Sequence, residues 1–244
     1  MSFARSSNPA ETLPRYRVRH SSRARHVSLT IHPADGLVIV VPNGFDEQLI
    51  PGLIHTKRSW IDARLRQFSD ALINDEAWLR PARMTLPAVN EHWSIKYQAN
   101  SSTTVRISTQ DKNMLRATGA IDAEVKLHAA LRRWLKRRAD LALPQRLTEL
   151  ADRHDFSFTR VTIRQQRTRW GSCSSRGTIS LNAKLLFIAP ELVDHVLLHE
   201  LCHTLHAHHG DSFQALMADL MPNHRQQRVA LREAWTHIPR WAHR

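Results

Sequence analysis

The sequence predicts an α+β protein in which a β-rich N-terminal module precedes a mainly helical domain that carries an HExxH helix. Short runs of alternating apolar and polar residues fill positions 16–120, whereas longer runs with helical spacing dominate positions 121–244. The chain has 244 residues, of which 42% are hydrophobic, and is therefore long enough to bury a substantial core. Residues 1–15 show neither pattern, and we expect a flexible N-terminus there.

Two alternating runs surround a turn signal near the start of the module. Val27, Leu29 and Ile31 alternate with polar residues, and the apolar run LVIVVP follows the turn signal Pro33-Ala34-Asp35-Gly36. Runs of this kind on both sides of Asp-Gly predict a β-hairpin. The preceding YRVRHS predicts a further strand.

A helical run and three strands complete the predicted module. Apolar residues between Phe45 and Phe68, including Leu49 and Trp60, share one helical side and predict one helix. The later strands are predicted at 92–99, 103–109 and 114–119.

The helical domain begins with a long apolar stripe between Asp122 and Arg153. This stripe predicts one helix, which Pro144 has the potential to break. Strands are predicted at 160–166 and 178–187, with a Gly- and Ser-containing loop between them. Pro190 is favourable at the first turn of a helix, and it precedes a helix predicted to reach Ala207.

The composition favours anionic partners. The formal net charge is +13, from 35 Lys and Arg against 22 Asp and Glu. Nucleic acid is the commonest partner of so basic a chain. The basic residues are spread along the sequence, however, and the densest block, RRWLKRR, fits the solvated face of an amphipathic helix equally well.

The N-terminus and the two cysteines indicate a compartment. The N-terminus lacks the apolar segment of a secretory signal, and no apolar run is long enough to span a membrane. Cys173 and Cys202 each lie within a motif that gives them another explanation than a disulfide. We therefore expect a protein of the reducing cytoplasm.

The chemistry is concentrated in His199-Glu200-Leu201-Cys202-His203. On a helix, His199 and His203 lie one turn apart, with Cβ atoms roughly 5–6 Å from each other, so both imidazoles can bind one metal ion. Glu200 lies at the same edge and can serve as general base for a metal-bound water. The apolar LVDHVLL run before the motif argues against an ordinary exposed helix.

A catalytic zinc ion usually has three protein ligands and an open position for water. Spacing alone leaves three candidates for the third ligand, namely His206, His208 and His209. His206 would share the face of His203 if the helix continues. His209 precedes Gly210, a natural helix stop at which the chain can turn back toward the metal.

The segment HELCHTLHAHHGDSF resembles the signature of the YgjP-like metallopeptidases and of the related SprT-like proteases. RWGSCSS and the following ISLNAKL resemble further elements of the YgjP-like family. The resemblance implies a zincin-like metallopeptidase domain that binds Zn²⁺ through His199, His203 and His209. It further implies that Glu200 is the catalytic base, that the substrate is a peptide or protein, and that Phe213 is a core aromatic.

Other polar residues near these motifs are weaker candidates. Arg164, Arg169 and Asn182 are available to stabilise a transition state, and Asp219 is a candidate partner for a ligand imidazole. Cys173 is a less favoured metal ligand or nucleophile, because three histidines already fill the site. The strand beside it can bind a peptide by backbone pairing.

Three functions are therefore compatible with the sequence. The first is a zinc-dependent metallopeptidase. The second is a nucleic-acid-associated SprT-like protease acting on DNA-bound proteins, which the net charge suggests. The third is a non-catalytic zinc-binding interaction domain, although such a domain has no use for Glu200 as a base.

Overall fold

The computed structural model describes residues 13–32, 36–72, 80–111 and 113–243. The chain divides into two compact units between Ile73 and Asn74. From the sequence alone, a boundary is predicted near residue 120. Most of the predicted flexible N-terminus and the tip of the predicted turn, residues 33–35, lie outside the described residues.

In the first unit, a three-stranded sheet and two helices enclose a small core. The elements are β1 (Tyr16–Ser21), β2 (Ser28–His32), β3 (Gly36–Pro42), α1 (Ile50–Thr56) and α2 (Arg58–Leu72). The central strand β3 pairs antiparallel with β2, which confirms the predicted hairpin pairing, and parallel with β1. Leu37, Ile39 and Val41 of β3 form the core with three isoleucines of the helices.

The helix predicted from Phe45 to Phe68 is wrong in two respects. The chain forms two helices there, separated at Lys57. Leu49 and Trp60, assigned to the apolar side, are 58% and 45% exposed. Leu49 ends a short 3-10 turn before α1, and the buried positions are instead occupied by Ile50, Ile54 and Ile61.

The second unit contains two sheets and four α-helices among its described residues. The strands are β4 (Arg83–Leu86), β5 (Glu91–Ala99), β6 (Val105–Thr109), β7 (Met114–Gly119), β8 (Arg160–Arg164), β9 (Gly171–Cys173) and β10 (Thr178–Asn182). The helices are α3 (Glu124–Arg153), α4 (Pro190–Cys202), α5 (Asp211–Leu220) and α6 (His224–Ala234). The sheet orders are β4-β5-β7-β6 and β8-β10-β9.

One hydrophobic core joins both sheets to the helices of this unit. Leu115 and Ala117 of β7 lie in the same core as Leu131 of α3, and Trp93 of β5 makes an edge contact with Trp134, with ring centroids 5.1 Å apart. This packing explains why the strands between residues 83 and 119 belong to the same compact unit as α3. Strand alternation identifies the β-structure, but it does not reveal which helix covers the sheet.

The long helix α3 runs without interruption through Pro144, so the break considered there does not occur. Leu143, Leu147 and Leu150 are buried around this position, and their burial offsets the loss of one backbone hydrogen bond. Arg146 of α3 holds the site helix α4 through two hydrogen bonds to Asp194, of 2.8 and 2.7 Å. No helix in the described part of the chain is both long and apolar enough to cross a membrane.

Candidate metal centre and active-site cleft

Helix α4 carries the first two residues of the candidate site. It begins at Pro190 as predicted, and its apolar side, including Leu197 and Leu201, is fully buried. The helix ends at Cys202 rather than at Ala207, and His203 occupies the capping position. The motif therefore lies at the end of a firmly anchored helix, where the chain changes direction.

Three imidazoles converge just beyond this helix end. The Nε2 atom of His209 lies 3.0 Å from Nε2 of His199 and 3.1 Å from Nε2 of His203. Among the described residues, these three form the group of side chains whose donor atoms could hold one metal ion. The structure thus brings together the three residues predicted as ligands.

A turn between α4 and α5 returns His209 to the helix end. Gly210 is not the helix stop expected from the sequence, because its φ is −70° and it caps the beginning of α5. His206 does not join the triad with its ring. Its backbone oxygen accepts a hydrogen bond of 2.9 Å from Nδ1 of His203, which leaves the Nε2 lone pair of that ring free for a cation. His208 is exposed.

The ring of Phe213 supports all three imidazoles. This side chain of α5 is 1% exposed, in agreement with its expected place in the core. Its centroid lies 5.0, 4.7 and 4.8 Å from the centroids of His199, His203 and His209. One aromatic ring therefore restricts the orientations of all three histidines.

The electrostatic surroundings keep two of these imidazoles neutral. Burial lowers the pKa of His199, and together with the charges of the neighbouring histidines and Arg228 it brings that pKa to about 3. Burial also lowers the pKa of His209, again with contributions from His203 and Arg228. A neutral imidazole offers a nitrogen lone pair at neutral pH, which is the form that binds metals.

Glu200 is a buried carboxyl group beside the triad. It is 5% exposed, and its Oε2 atom has no hydrogen-bond partner among the described residues. Burial raises the pKa of Glu200 to about 8, although the positive charge of Arg169 opposes this rise. An unpaired buried carboxyl is costly, so its presence here needs an explanation outside the protein's own contacts.

Gly171 provides the space that Glu200 occupies. A Cβ atom at Gly171 would lie 2.6 Å from Oε1, 2.8 Å from Cγ and 2.9 Å from Cδ of Glu200. The glycine of the RWGSC segment therefore lets β9 pass directly over the carboxyl group. Residues 171–175 line a cleft of about 470 Å³ together with Arg169, Glu200 and the three histidines.

The predicted loop at 171–173 is in fact the edge strand β9, paired with β10. Asn182 at the end of β10 is fully buried, and its side-chain amide donates hydrogen bonds to the backbone oxygens of Gln166, at 2.9 Å, and Arg169, at 2.8 Å. Asn182 thus shapes the segment that leads into β9. Of the two arginine candidates, Arg169 lines the cleft, whereas Arg164 does not.

The remaining candidates have structural or minor roles. Cys202 is fully buried and its sulfur lies 3.5 Å from that of Met217, as expected for a core residue. Cys173 lines the cleft, but burial and the charge of Glu200 raise its pKa, which disfavours the nucleophilic thiolate. Asp219 is exposed and does not belong to the group of described side chains that could hold a metal ion.

Sequence reasoning missed a second cavity, of about 740 Å³, which shares His199 and His209 with the cleft. Its wall includes His195 on α4 and three cationic or titratable residues at the beginning of α6, namely His224, Arg225 and Arg228. The spacing of His195, one turn before His199, was a usable signal. The α6 residues carry no motif, and only the fold brings them to the site.

A comparison with curated proteins returns no match. The sequence model of one family, described as the YgjP-like metallopeptidase domain, matches residues 25–234. This range includes the HExxH motif, the returning His209, the RWGSC segment and most of the first unit. The chain belongs to the YgjP-like metallopeptidase family.

Proposed function

We propose that this protein is a zinc-dependent peptidase in which His199, His203 and His209 hold Zn²⁺ and Glu200 is the general base. The observation that carries this proposal is the convergence of three imidazoles: Nε2 of His209 lies 3.0 and 3.1 Å from Nε2 of the other two histidines, and the ligand atoms of all three lie within 4.8 Å of one another. Three nitrogens at roughly 2.0–2.1 Å from one zinc ion lie a little over 3 Å from each other, so the observed arrangement fits this ion closely.

The donor set favours zinc. Imidazole nitrogens suit zinc and its transition-metal neighbours, whereas magnesium and calcium prefer oxygen ligands. Three protein ligands are typical of a catalytic zinc site, because the fourth position is kept for water or substrate. When bound there, zinc lowers the pKa of a coordinated water and polarises the substrate carbonyl.

Glu200 fits the role of the base. Its carboxyl lines the same cleft as the three imidazoles, and its Oε2 atom, which has no hydrogen-bond partner among the described residues, is available to accept a proton. A pKa raised to about 8 by burial also makes the protonated carboxyl a reasonable donor to a leaving amine. A cation beside it would favour the ionised form and so prepare Glu200 for proton acceptance.

The edge strand β9 supports a peptide as substrate. Ser174 and Asn182 donate backbone hydrogen bonds across the β9–β10 pair, to Thr178 and Trp170 respectively. Because antiparallel pairing alternates, the backbone groups of Gly171 and Cys173 are directed away from β10, toward the unpaired edge. An extended peptide can pair with that edge beside the metal ligands.

The experiment is to measure metal content and hydrolysis together. The purified full-length protein should contain close to one zinc ion per chain and should cleave unfolded protein substrates. Glu200→Gln should keep the zinc and lose hydrolysis by about 10²-fold or more. Glu191→Gln, which removes the same charge from the exposed beginning of α4, is the matched control and should stay active. Full activity of Glu200→Gln would exclude the proposed base.

The same experiment separates the peptidase from a non-catalytic zinc domain. A zinc-loaded wild-type protein that cleaves nothing, and whose metal has no exchangeable water position, would favour the interaction domain.

A second candidate is a protease that acts on nucleic-acid-bound proteins. Its support is the first unit, in which residues 13–32 include five exposed arginines and no acidic residue. These are Arg15, Arg17, Arg19, Arg23 and Arg25. Measured affinity for duplex DNA should fall steeply with salt and weaken in Arg23→Gln/Arg25→Gln. No DNA binding at low salt would exclude this candidate.

A further inference from the structure

The second cavity beside the triad is strongly biased in charge. Its described lining contains Arg225, Arg228 and two histidines that are not among the proposed metal ligands, but no Asp or Glu. The cavity volume of about 740 Å³ is sufficient for a substrate side chain or a chain terminus. The wall is therefore suited to an anionic group next to the reacting centre.

The guanidinium groups of Arg225 and Arg228 are available to bind a ligand. Within the described part of the chain, Arg225 and Arg228 form no hydrogen bond and no ion pair, although other arginines of this unit, such as Arg138 and Arg146, are paired with carboxylates. The positive charge of Arg228 reaches the site itself. After burial, it contributes to the lowered pKa of His195, His199 and His209.

His195 adds a polar group to the inner wall. It is 4% exposed, and its Nδ1 atom is buried without a hydrogen-bond partner among the described residues. Buried imidazole nitrogens are normally satisfied, so an unpaired one in a cavity wall points to a group that enters from outside. Its ring centroid lies 6.3 Å from that of His199, which places this polar wall directly beside the proposed metal ligand.

Apolar residues complete the same cavity. Phe213 and Met217 of α5 are 1% exposed, and the exposed Val229 of α6 lines the cavity next to Arg228 in sequence. Such a surface suits the methylene groups of a side chain and leaves the polar end to the cations. A lining that combines buried apolar residues with exposed arginines is better suited to glutamate, which has methylene groups and a carboxylate, than to an inorganic anion.

We propose that this cavity is a specificity subsite that binds a carboxylate of the peptide substrate, held by Arg225 and Arg228 with His195 at its inner wall. The inference rests on the proposed peptidase function and names the substrate chemistry of that site. The carboxylate can come from an acidic side chain or from the C-terminus of the peptide, and the two sources differ in the experiment below.

The test measures binding rather than cleavage, with the zinc-loaded, full-length Glu200→Gln protein. The probes are fluorescently labelled alanine peptides that carry a single Glu or a single Gln, each with an amidated C-terminus, and the Gln peptide with a free C-terminus. Fluorescence anisotropy gives the dissociation constants. The peptides are also measured against two variants made in the same Glu200→Gln protein. The first is Arg225→Gln/Arg228→Gln. The second, Arg232→Gln, is the control, because it replaces an arginine of the same helix that does not line the cavity.

We expect a peptide with a carboxylate to bind about tenfold more tightly than the amidated Gln peptide. The gain is no larger because both guanidinium groups are exposed to solvent, which screens their charge. A preference for the Glu peptide assigns the carboxylate to a side chain, and a preference for the free C-terminus assigns it to a chain end. The double arginine variant should bind all three peptides alike, whereas Arg232→Gln should retain the preference. Zinc content and melting temperature of each variant show that the fold is intact.

Equal binding of all three peptides, or a preference that survives in the double arginine variant, would overturn the subsite. Because the binding assay needs no catalysis, its outcome is independent of whether the wild-type protein hydrolyses peptides. A failed hydrolysis experiment with a preserved carboxylate preference would remove the peptidase and keep the anionic site. The reverse result would keep the peptidase and remove the subsite.

Discussion

Replacement of Gly171 by alanine should separate metal binding from catalysis. The added Cβ atom would lie 2.6–2.9 Å from three atoms of Glu200, including Cγ near the base of the side chain. Ordinary carbon contacts begin at roughly 3.5 Å, so the carboxyl group has to move by about 0.6–0.9 Å. Glu200 is buried at 5% exposure, and this displacement therefore cannot be absorbed by a swing into solvent.

The expected loss in kcat follows from that displacement. Misplacement of a catalytic group by about 1 Å costs about 10²-fold, and complete removal of a general base costs about 10²–10⁴-fold. We expect kcat of Gly171→Ala to fall by about 10- to 100-fold, with zinc content unchanged. Overpacking should reduce the free energy of unfolding by about 1–3 kcal/mol.

The assay is steady-state hydrolysis of a fluorogenic peptide, with zinc measured in the same samples. Gly52→Ala is the matched control, because no atom lies within 4 Å of a Cβ at that helical glycine. This control should leave kcat unchanged and stabilise the protein by up to about 1 kcal/mol. If Gly171→Ala retains zinc and its kcat stays within about twofold of wild type, the placement of Glu200 beneath β9 is wrong.

Three further predictions concern the ligand set, the buried base and an ion pair in the second unit. His209→Ala should weaken zinc binding more than about 100-fold in a chelator competition assay, because loss of an outer-shell partner alone already costs about 10–100-fold and a direct ligand should cost more. His208→Ala should leave zinc affinity unchanged, because this side chain is exposed and does not belong to the triad. In the metal-free protein, Glu200→Gln should become progressively more stable than wild type as pH rises from 4.5 to about 8. Burial raises the pKa of the Glu200 carboxyl from 4.5 to about 8 in the folded state, so the wild-type protein loses stability over that pH range, whereas the glutamine variant does not. Denaturant unfolding should show a difference of a few kcal/mol, an order-of-magnitude figure. Arg138→Gln should destabilise the protein by about 1–3 kcal/mol at pH 7 and much less at pH 3. Burial raises the pKa of Glu91, but the hydrogen bonds from Arg138 and Trp93 outweigh burial, so the pKa of the folded carboxyl is lowered. The ionised Glu91 therefore stabilises the folded protein at neutral pH, and this stabilisation is lost as pH falls.

Each of these has an outcome that would contradict it. Equal zinc affinity of the His208 and His209 variants would remove the third ligand. Parallel stability curves for wild type and Glu200→Gln would show that the carboxyl is not buried as described. An equal cost of Arg138→Gln at both pH values would mean that the Arg138–Glu91 pair contributes by packing rather than by charge.

Local patterns predicted the elements of this fold better than their limits. The strand at 114–119 was predicted with the limits that β7 has in the structure, and Pro190 correctly identified the beginning of the site helix. The end of that helix was wrong because residues 203–207 are compatible with helical spacing. The helix stops at Cys202, and that early stop allows His209 to reach the other two histidines.

The candidate residues that sequence reasoning named are close together in sequence, and those it missed are distant. His199, Glu200 and His203 are determined by helical spacing, and the resemblance to a family selected His209 from three candidates. Residues of α6 enter the second cavity through the packing of a separate helix. Neither periodicity nor a motif carries that information, because it depends on long-range contacts of the hydrophobic core.

The buried amide of Asn182 has a consequence for substrate affinity. By holding two backbone oxygens of the segment before β9, it fixes one wall of the cleft in the folded protein. The conformational entropy of that wall is lost during folding and not during peptide association. A bound peptide therefore keeps a larger share of its contact energy as affinity.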